Sequence, residues 1–507
     1  MTLVSGLQRP LQGHLMYGET TALCGTCLLP VSAKEVIAQG KVWLKKRCPK
    51  HGLESVLLAD DVDYFRKARE VYLKVGERVQ AHNTPVRWGC PYDCGICPDH
   101  EQHGCLSLIE VTDACDLRCP TCYAGSAPGG KHHELSVIEG MLDAVVRNEA
   151  EPDVVQLSGG EPTLHPEFWA IMDACRRRPI RHLMINTNGV RLARDDGFAE
   201  RLASYGPGLE VYLQFDSRKE HALRTLRGED LRTRRERALE RLNAVGLSTT
   251  LVVTVRKGLN DGELGELIDW AATQKCVRGV TVQPVQDAGR NDGFDAGAHR
   301  LTVSEVRRRI AEQSQHFIAE DIVPVPCHPD CLAMAYALKT DEGLVPVTRH
   351  IEPRLLVEGA SNTISYERLV ALAAKRVLPG LPESAADATQ RAFLGAFAAN
   401  LSPQGAADRL QQLLCCLPGV ETPSDWGYEK VFRVVILQFL DRHSLDLRNV
   451  RRSCVHIAHP DGKRLIPFDT YNLFYRGALE REVLTPLRAK METLFELPEK
   501  SCTASAS

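Results

Sequence analysis

The sequence predicts an α/β fold, a parallel sheet assembled from six βα units and either open or curled into a partial barrel. Three observations predict it. The apolar runs LSLIEVT, DVVQLSG, RHLMINTN, LEVYLQFD, TTLVVTV and GVTVQPV recur between residues 106 and 285. Amphipathic stretches near residues 135–149, 165–178, 198–204, 231–246 and 261–274 lie between them and are long enough to return the chain in the same direction. Glycine and polar residues gather where the runs end, at the carboxyl side where such sheets place their chemistry.

The elements are taken in chain order. Residues 1–85 hold a small cysteine-containing module followed by DVDYFRKAREVYLKV, whose apolar spacing is helical. Residues 86–105 are rich in Cys, Pro, Asp, His and Gly, too polar to pack a core of their own, and read as a metal-organised loop. Residues 106–290 carry the βα alternation. Residues 291–507 form a mixed, largely helical region: helices are expected over 302–319 and 365–416, with breaks at PGLPESAA and SPQG. In the same region EKVFRVVILQFLD reads as one buried strand, LEREVLTPLRAKMETLFE as a closing helix and KSCTASAS as a frayed tail.

Composition narrows the class. With 44% hydrophobic and 25% charged residues, a disordered or collagen-like chain is excluded. Lys plus Arg number 62 against 65 Asp plus Glu, which excludes nucleic-acid binding driven by phosphate neutralisation. Ten of the 18 cysteines lie between Cys24 and Cys122. The N-terminus shows no basic and apolar leader, and no apolar run approaches the roughly 20 residues of a membrane span. A cytoplasmic, reducing location is therefore expected, and there clustered thiols are metal ligands more often than disulfides.

Four arrays carry that expectation. CDLRCPTC sets Cys115, Cys119 and Cys122 directly after the first strand. Three thiolates on one loop can hold three irons of a 4Fe–4S cube and leave the fourth open, with a zinc loop as the alternative. CPYDCGICPDHEQHGC supplies Cys90, Cys94, Cys97 and Cys105, four ligands for a closed auxiliary 4Fe–4S cluster or for zinc, with His100 and His103 as neighbouring donors. CGTC with RCPKHG places Cys24, Cys27, Cys48 and His51 at the spacing of a tetrahedral knuckle, zinc if structural and iron if sulfur ligation is completed elsewhere. CHPDC pairs Cys327 with Cys331, and Cys454 joins them by resemblance, with His456, Asp469, substrate or nothing as fourth ligand. Cys175 and Cys276 read as core residues.

The second strand ends in LSGGEPTLHP, with Ser158, Gly159, Gly160 and Glu161. Two glycines there allow close approach of a ligand, and the carboxylate can accept from an ammonium group. GSAPGGKH has phosphate-loop spacing, but His132 replaces the hydroxyl that magnesium needs, so nucleotide hydrolysis is rejected. In LRTRRERALERL, Leu231, Leu239 and Leu242 face inward and the arginines are read as a solvated face.

The cysteine loop after strand one and GGEP after strand two together resemble the radical S-adenosylmethionine (SAM) superfamily. The resemblance implies a partial (β/α)6 barrel and a 4Fe–4S cluster whose open iron takes the amino and carboxylate groups of SAM. It further implies reductive cleavage to a 5'-deoxyadenosyl radical, hydrogen abstraction from an unactivated carbon, and a reductant such as flavodoxin or ferredoxin. SAM contacts are then expected from the GGE turn, from Asn186 and Asn188 of NTNG, from Gln214 and Asp216, and from strand ends at Thr254, Arg256 and Gln283. Tyr123 is expected at the adenine, because Thr121 stands where many members carry an aromatic residue. The order of parts through FRVVILQFLD and CVHIAHPDGKRLIPFDTYN is similar to the tetraether lipid synthase and 7,8-dihydro-6-hydroxymethylpterin dimethyltransferase-like family. That implies C–C bond formation on a lipid chain, with peripheral membrane contact, or alternatively methylation of a pterin precursor. A non-enzymatic multi-cluster electron carrier is the third reading, and GGEP with NTNG speaks against it.

Overall fold

The computed structural model describes residues 13–76, 79, 81–340, 343–349, 353 and 431–495. Strands β1 (Leu15–Leu23), β2 (Pro30–Ala38), β3 (Lys41–Cys48) and β4 (Gly52–Ala59) form an antiparallel meander. Alternation turns Ala22, Ala33, Leu44 and Val56 to one side as its small core. Helix α1 (Val62–Glu70) follows, started by the Asp61 carboxylate accepting the Tyr64 N–H.

The second unit begins at β5 (Leu106–Thr112), passes the two-residue β6 (Thr121–Cys122), and alternates: α2 (Leu135–Glu149), β7 (Val154–Gly159), α3 (Phe168–Arg176), β8 (His182–Thr187), α4 (Val190–Arg194), α5 (Phe198–Ala203), β9 (Leu209–Gln214), α6 (Glu220–Arg227), α7 (Arg232–Val245), β10 (Thr249–Val255), α8 (Leu264–Ala272) and β11 (Val277–Pro284). The six long strands pair in parallel in chain order, β5-β7-β8-β9-β10-β11, as right-handed βα units arrange them. Helix α2 shows why the helices dock: Ile138, Met141, Leu142 and Val145 recur at three- and four-residue spacing and all are buried.

Beyond β11 come β12 (Arg290–Asn291), which pairs with β6, then α9 (Ala296–His299), α10 (Val303–Gln313), β13 (Val323–Pro324), β14 (Leu332–Thr340) and β15 (Gly343–Pro346). The last part holds β16 (Val431–Leu437), α11 (Leu447–Arg451), β17 (Val455–Ala458), β18 (Leu465–Pro467) and α12 (Thr485–Phe495). Strand β16 lies parallel to β11 and β17 parallel to β5, so the C-terminal segment extends both edges of the six-stranded sheet. The region is mixed, as expected, and it adds strands to the main sheet that the sequence does not announce: β17 has four residues and β14 is alanine-rich. The expected helices over 365–416, their two breaks and the tail lie outside the described residues.

Alternation splits the sheet into two faces. Ile109, Val155, Ile185, Val211 and Val253 pack outward against the helices. Leu108, Gln156, Asn186, Tyr212 and Gln214 point inward.

Candidate functional site

The inward faces and the carboxyl ends of the parallel strands enclose a cavity of about 170 Å³. Its rim carries Cys115, Cys119 and Cys122, and its deeper wall carries Leu108, Gln156 and Tyr212. The rim is built by close contact between the first two strand ends. Gly160 donates to the Thr112 carbonyl at 2.6 Å and Glu161 to the Ala114 carbonyl at 2.8 Å. A Cβ on Gly159, whose φ is 118°, would stand 2.3 Å from the Thr112 oxygen, and one on Gly160 2.1 Å from that of Ala114. The two glycines therefore admit the cysteine-loop backbone, whereas the sequence reading gave that room to a ligand.

Glu161 is fully buried. Its carboxylate accepts from Thr163 N (3.1 Å) and Oγ1 (2.6 Å), from Thr187 Oγ1 (2.8 Å) and from Asn188 N (2.8 Å). Burial outweighs these donors and pushes its carboxyl up to about 7. Next to it Asn188 Nδ2 donates to Asp116 Oδ1 at 2.6 Å and stands 3.9 Å from Cys115 Sγ. An amide chain runs along the wall: Gln214 Nε2 donates to Asn186 Oδ1 at 2.8 Å, and Asn186 Nδ2 to Ser158 Oγ at 3.2 Å.

Asp216 departs from its expected place at SAM. It is absent from the cavity wall, and its oxygens are taken by Arg227 (2.6 and 2.7 Å), Arg235 (2.9 Å) and the Thr254 N–H (3.0 Å). Burial disfavours its charge, yet the two guanidiniums prevail and hold its carboxyl well below the usual range. Arg227, which the sequence reading did not single out, lines the cavity instead, beside Gln214 and Cys119. Arg235 also corrects the reading of its helix: the arginine stretch is not wholly a solvated face, since this side chain is 1% exposed. Arg256 turns to Gly293 and His299 and is not on the wall, while Thr254 and Gln283 are. Tyr123 lines the rim, edge-on to Phe439 and Phe468, which stack at 3.8 Å.

Among the described residues two donor sets lie within 4.8 Å of one another, close enough to share one ion. In the first, His51 Nδ1 is 3.4 Å from both Cys24 Sγ and Cys48 Sγ, and Cys27 Sγ is 3.9 Å from Cys48 Sγ. Tetrahedral zinc with Zn–S bonds of about 2.3 Å sets its sulfurs roughly 3.8 Å apart, so this set fits the ion. The second set is Cys105, Cys327 and Cys454, with 3.5 Å between Cys327 and Cys454. Cys105 thus groups across the sheet edge with the C-terminal thiols, where the sequence spacing grouped it with Cys90, Cys94 and Cys97; Cys331 stands outside the set. The reason is pairing: Cys105 and Cys454 directly precede the neighbouring parallel strands β5 and β17. Cys115, Cys119 and Cys122 are not drawn that close, and neither are Cys90, Cys94 and Cys97, so each all-sulfur trio suits a multinuclear group better than a single ion. His100 and His103 are buried or partly so. His100 meets Ser453 O and His456, and His103 meets Glu149. No helix among the described residues is long and apolar enough to cross a membrane.

A parallel sheet of βα units, a three-cysteine loop after its first strand and a buried GGE turn after its second belong with a sequence match of residues 109–271 to the radical SAM superfamily. The chain belongs to that superfamily, which brings a 4Fe–4S cluster, SAM, and the need for a reductant and a substrate. More particularly, it is 29% identical to the 7,8-dihydro-6-hydroxymethylpterin dimethyltransferase of Methanocaldococcus jannaschii, over 93% of this chain and 96% of that one. Residues 16–60 match the HMPTM N-terminal zinc ribbon domain. The GTP 3',8-cyclase of Klebsiella pneumoniae is 30% identical over 44% of this chain and 68% of its own. Streptococcus suis SuiB bound to S-adenosylmethionine aligns with 40% of this chain and 44% of its own, at 18% identity and TM-score 0.32.

Proposed function

We propose that this chain is a radical SAM methyltransferase that acts on a pterin precursor. The observation that carries the reading is the polar character of the amino end of the parallel strands. Below Tyr212 on the same face of β9, Glu210 is paired with Arg433 at 2.6 Å and His182 at 2.9 Å and also meets Thr250. The joining of lipid chains calls for a long apolar channel, whereas this end of the inner face carries a buried ion pair. A short cavity walled by amides, aliphatic groups and stacked aromatics suits a compact heterocyclic ring. Similarity to a pterin dimethyltransferase along nearly the whole chain supports the same class.

The cluster, held by Cys115, Cys119 and Cys122, supplies one-electron cleavage of SAM and a 5'-deoxyadenosyl radical when bound. The protein's own groups do the rest. Ionised Glu161, held by Asn188 and Thr187, offers charge to the SAM ammonium. Arg227, fixed by Asp216, offers a guanidinium beside the cysteine loop. Ser158, Asn186 and Gln214 line the cavity, and Tyr123 with Phe439 and Phe468 keeps water from the rim. We assign zinc to Cys24, Cys27, Cys48 and His51, an auxiliary iron–sulfur site to Cys90, Cys94 and Cys97, a single metal ion to Cys105, Cys327 and Cys454, and electron delivery to a flavodoxin or ferredoxin. A reducing cytoplasm suits the described cysteines, none of which is joined in a disulfide.

The test is anaerobic turnover of the reconstituted full chain with dithionite, SAM and 7,8-dihydro-6-hydroxymethylpterin. Methylated pterin together with 5'-deoxyadenosine is the expected result. Deoxyadenosine coupled to the joining of archaeal lipid chains, with no pterin product, would overturn the reading.

A further inference from the structure

Gln156 is 3% exposed, lines the cavity, and its Nε2 has no hydrogen-bond partner. A buried amide without a partner is costly, and an orphan of this kind in a wall marks a place where a bound molecule completes the bonding. Its position is defined by register. Gln156 opposes Leu108 on β5 and Met184 on β8. It precedes Ser158 of the SAM turn by two residues, about 6.6 Å along a strand. It therefore sits one pleat deeper than the residues proposed to touch SAM.

The surroundings at that depth are mostly apolar, with Leu106, Leu108 and Val455 on one side. Across from them the Tyr212 hydroxyl is held by Gln283 Nε2 at 3.1 Å. A space bounded by aliphatic groups and a fixed phenol, with one unpaired amide in its wall, has the chemistry of a seat for a planar heterocycle. The edge of that ring must carry a hydrogen-bond acceptor, and a ring lactam carbonyl supplies one.

We propose that Gln156 is the specificity residue of the substrate site and that its amide reads the lactam edge of a planar bicyclic ring seated between Leu108 and Tyr212. This rests on the pterin reading above and names the group that would enforce it. A lost hydrogen bond at a buried polar site is felt mainly as discrimination between ring edges, so the change should appear in ring preference.

The experiment measures equilibrium binding of three probes to SAM-loaded, anaerobically reconstituted enzyme: 6-hydroxymethylpterin, its 2,4-diaminopteridine counterpart lacking the lactam, and guanosine. Wild type is expected to prefer the lactam rings. Gln156→Leu is expected to weaken lactam binding about tenfold or more. Gln156→Glu, which can only accept when ionised, is expected to shift the preference toward the diamino ring by about tenfold, a reversal that a merely structural role would not produce. Equal affinity for the lactam and diamino rings in all three proteins would overturn the proposal, as would failure of wild type to bind any of them. Binding of guanosine but not of the pterin, with the same dependence on Gln156, would sustain the seat and remove the pterin reading. Unchanged pterin affinity in both variants, with pterin methylation intact, would remove the seat and leave that reading standing.

Discussion

The Glu161 carboxylate accepts the backbone N–H of Asn188 at 2.8 Å, so the turns after two adjacent parallel strands are one unit. Whatever ionises Glu161 tightens both. Burial places its carboxyl near pH 7, which brings it into the range of ordinary assays.

SAM affinity should therefore rise with pH through about 7 as Glu161 ionises. Without SAM the sign for stability is opposite: the folded state holds this proton more firmly than the unfolded chain, so its stability falls as pH rises from about 4.5 to 7. Gln at position 161 should flatten both profiles and weaken SAM binding by about tenfold or more, a charge-assisted contact having been removed. Isothermal titration with SAM across pH 6 to 8, in buffers near those values, tests this, and a Glu161→Gln variant that keeps the wild-type profile contradicts it.

Cys105 is predicted to share a metal site with Cys327 and Cys454, by their approach within 4.8 Å. Cys105→Ala and Cys327→Ala should then lose the same metal, and the double variant should lose no more than either alone. Cys94→Ala should remove a separate portion. Iron and zinc counts per chain with Mössbauer spectra decide it; additive losses in the double variant would break the grouping.

Replacing Arg433 by Met should be severe. Glu210 is completely buried and would lose its guanidinium partner, with His182 and Thr250 still beside it. An uncompensated buried charge of this kind costs about 3–5 kcal/mol, read as a lowered denaturation midpoint. Glu210→Gln in the same background should recover much of the loss, because it removes the charge left without its partner. A pair worth nothing would leave both variants at the wild-type midpoint.

His443 joins the N-terminal meander to the barrel, meeting Glu54 at 2.7 Å and Asp287 at 3.2 Å. Those two carboxylates raise its imidazole to about 9 against the cost of partial burial. The sign follows from linkage: the contribution is complete below about 6.5 and is lost as pH rises through about 9. His443→Gln should match wild type in stability at pH 10 and fall below it at pH 6, as judged by thermal unfolding.

Much of this architecture is legible in the sequence because period-two apolar runs and glycine-marked strand ends obey local rules. The six runs from LSLIEVT to GVTVQPV and the five helices expected between them are observed, with α4 and α6 in addition, and the alternation within the runs assigns Gln156 and Tyr212 to the face of Ser158 and Gln214. What escapes is long-range pairing. Nothing local tells that VHIA, four residues long, lies beside β5, and so nothing local tells that Cys105 meets Cys454. Arg227 and Arg235 escape for a related reason. Arginine in a helix is read as solvent-facing unless the buried acid it serves is known, and that acid, Asp216, lies 11 and 19 residues away.

Strands β16 and β17 occupy opposite edges of the parallel sheet, yet they are made within 28 residues of each other near the end of the chain, from Val431 to Ala458. Ribosomal synthesis runs from the N-terminus, so a nascent chain that has completed β11 still has both β5 and β11 as unpaired edges, and the wall between them stays open. The β17–β5 pairing spans about 350 positions and the β16–β11 pairing about 150, separations that slow folding. Assembly is thereby ordered in time, with the thiols from Cys24 to Cys122 synthesised before the two edges are paired, and the late strands act as a seam that is sewn last.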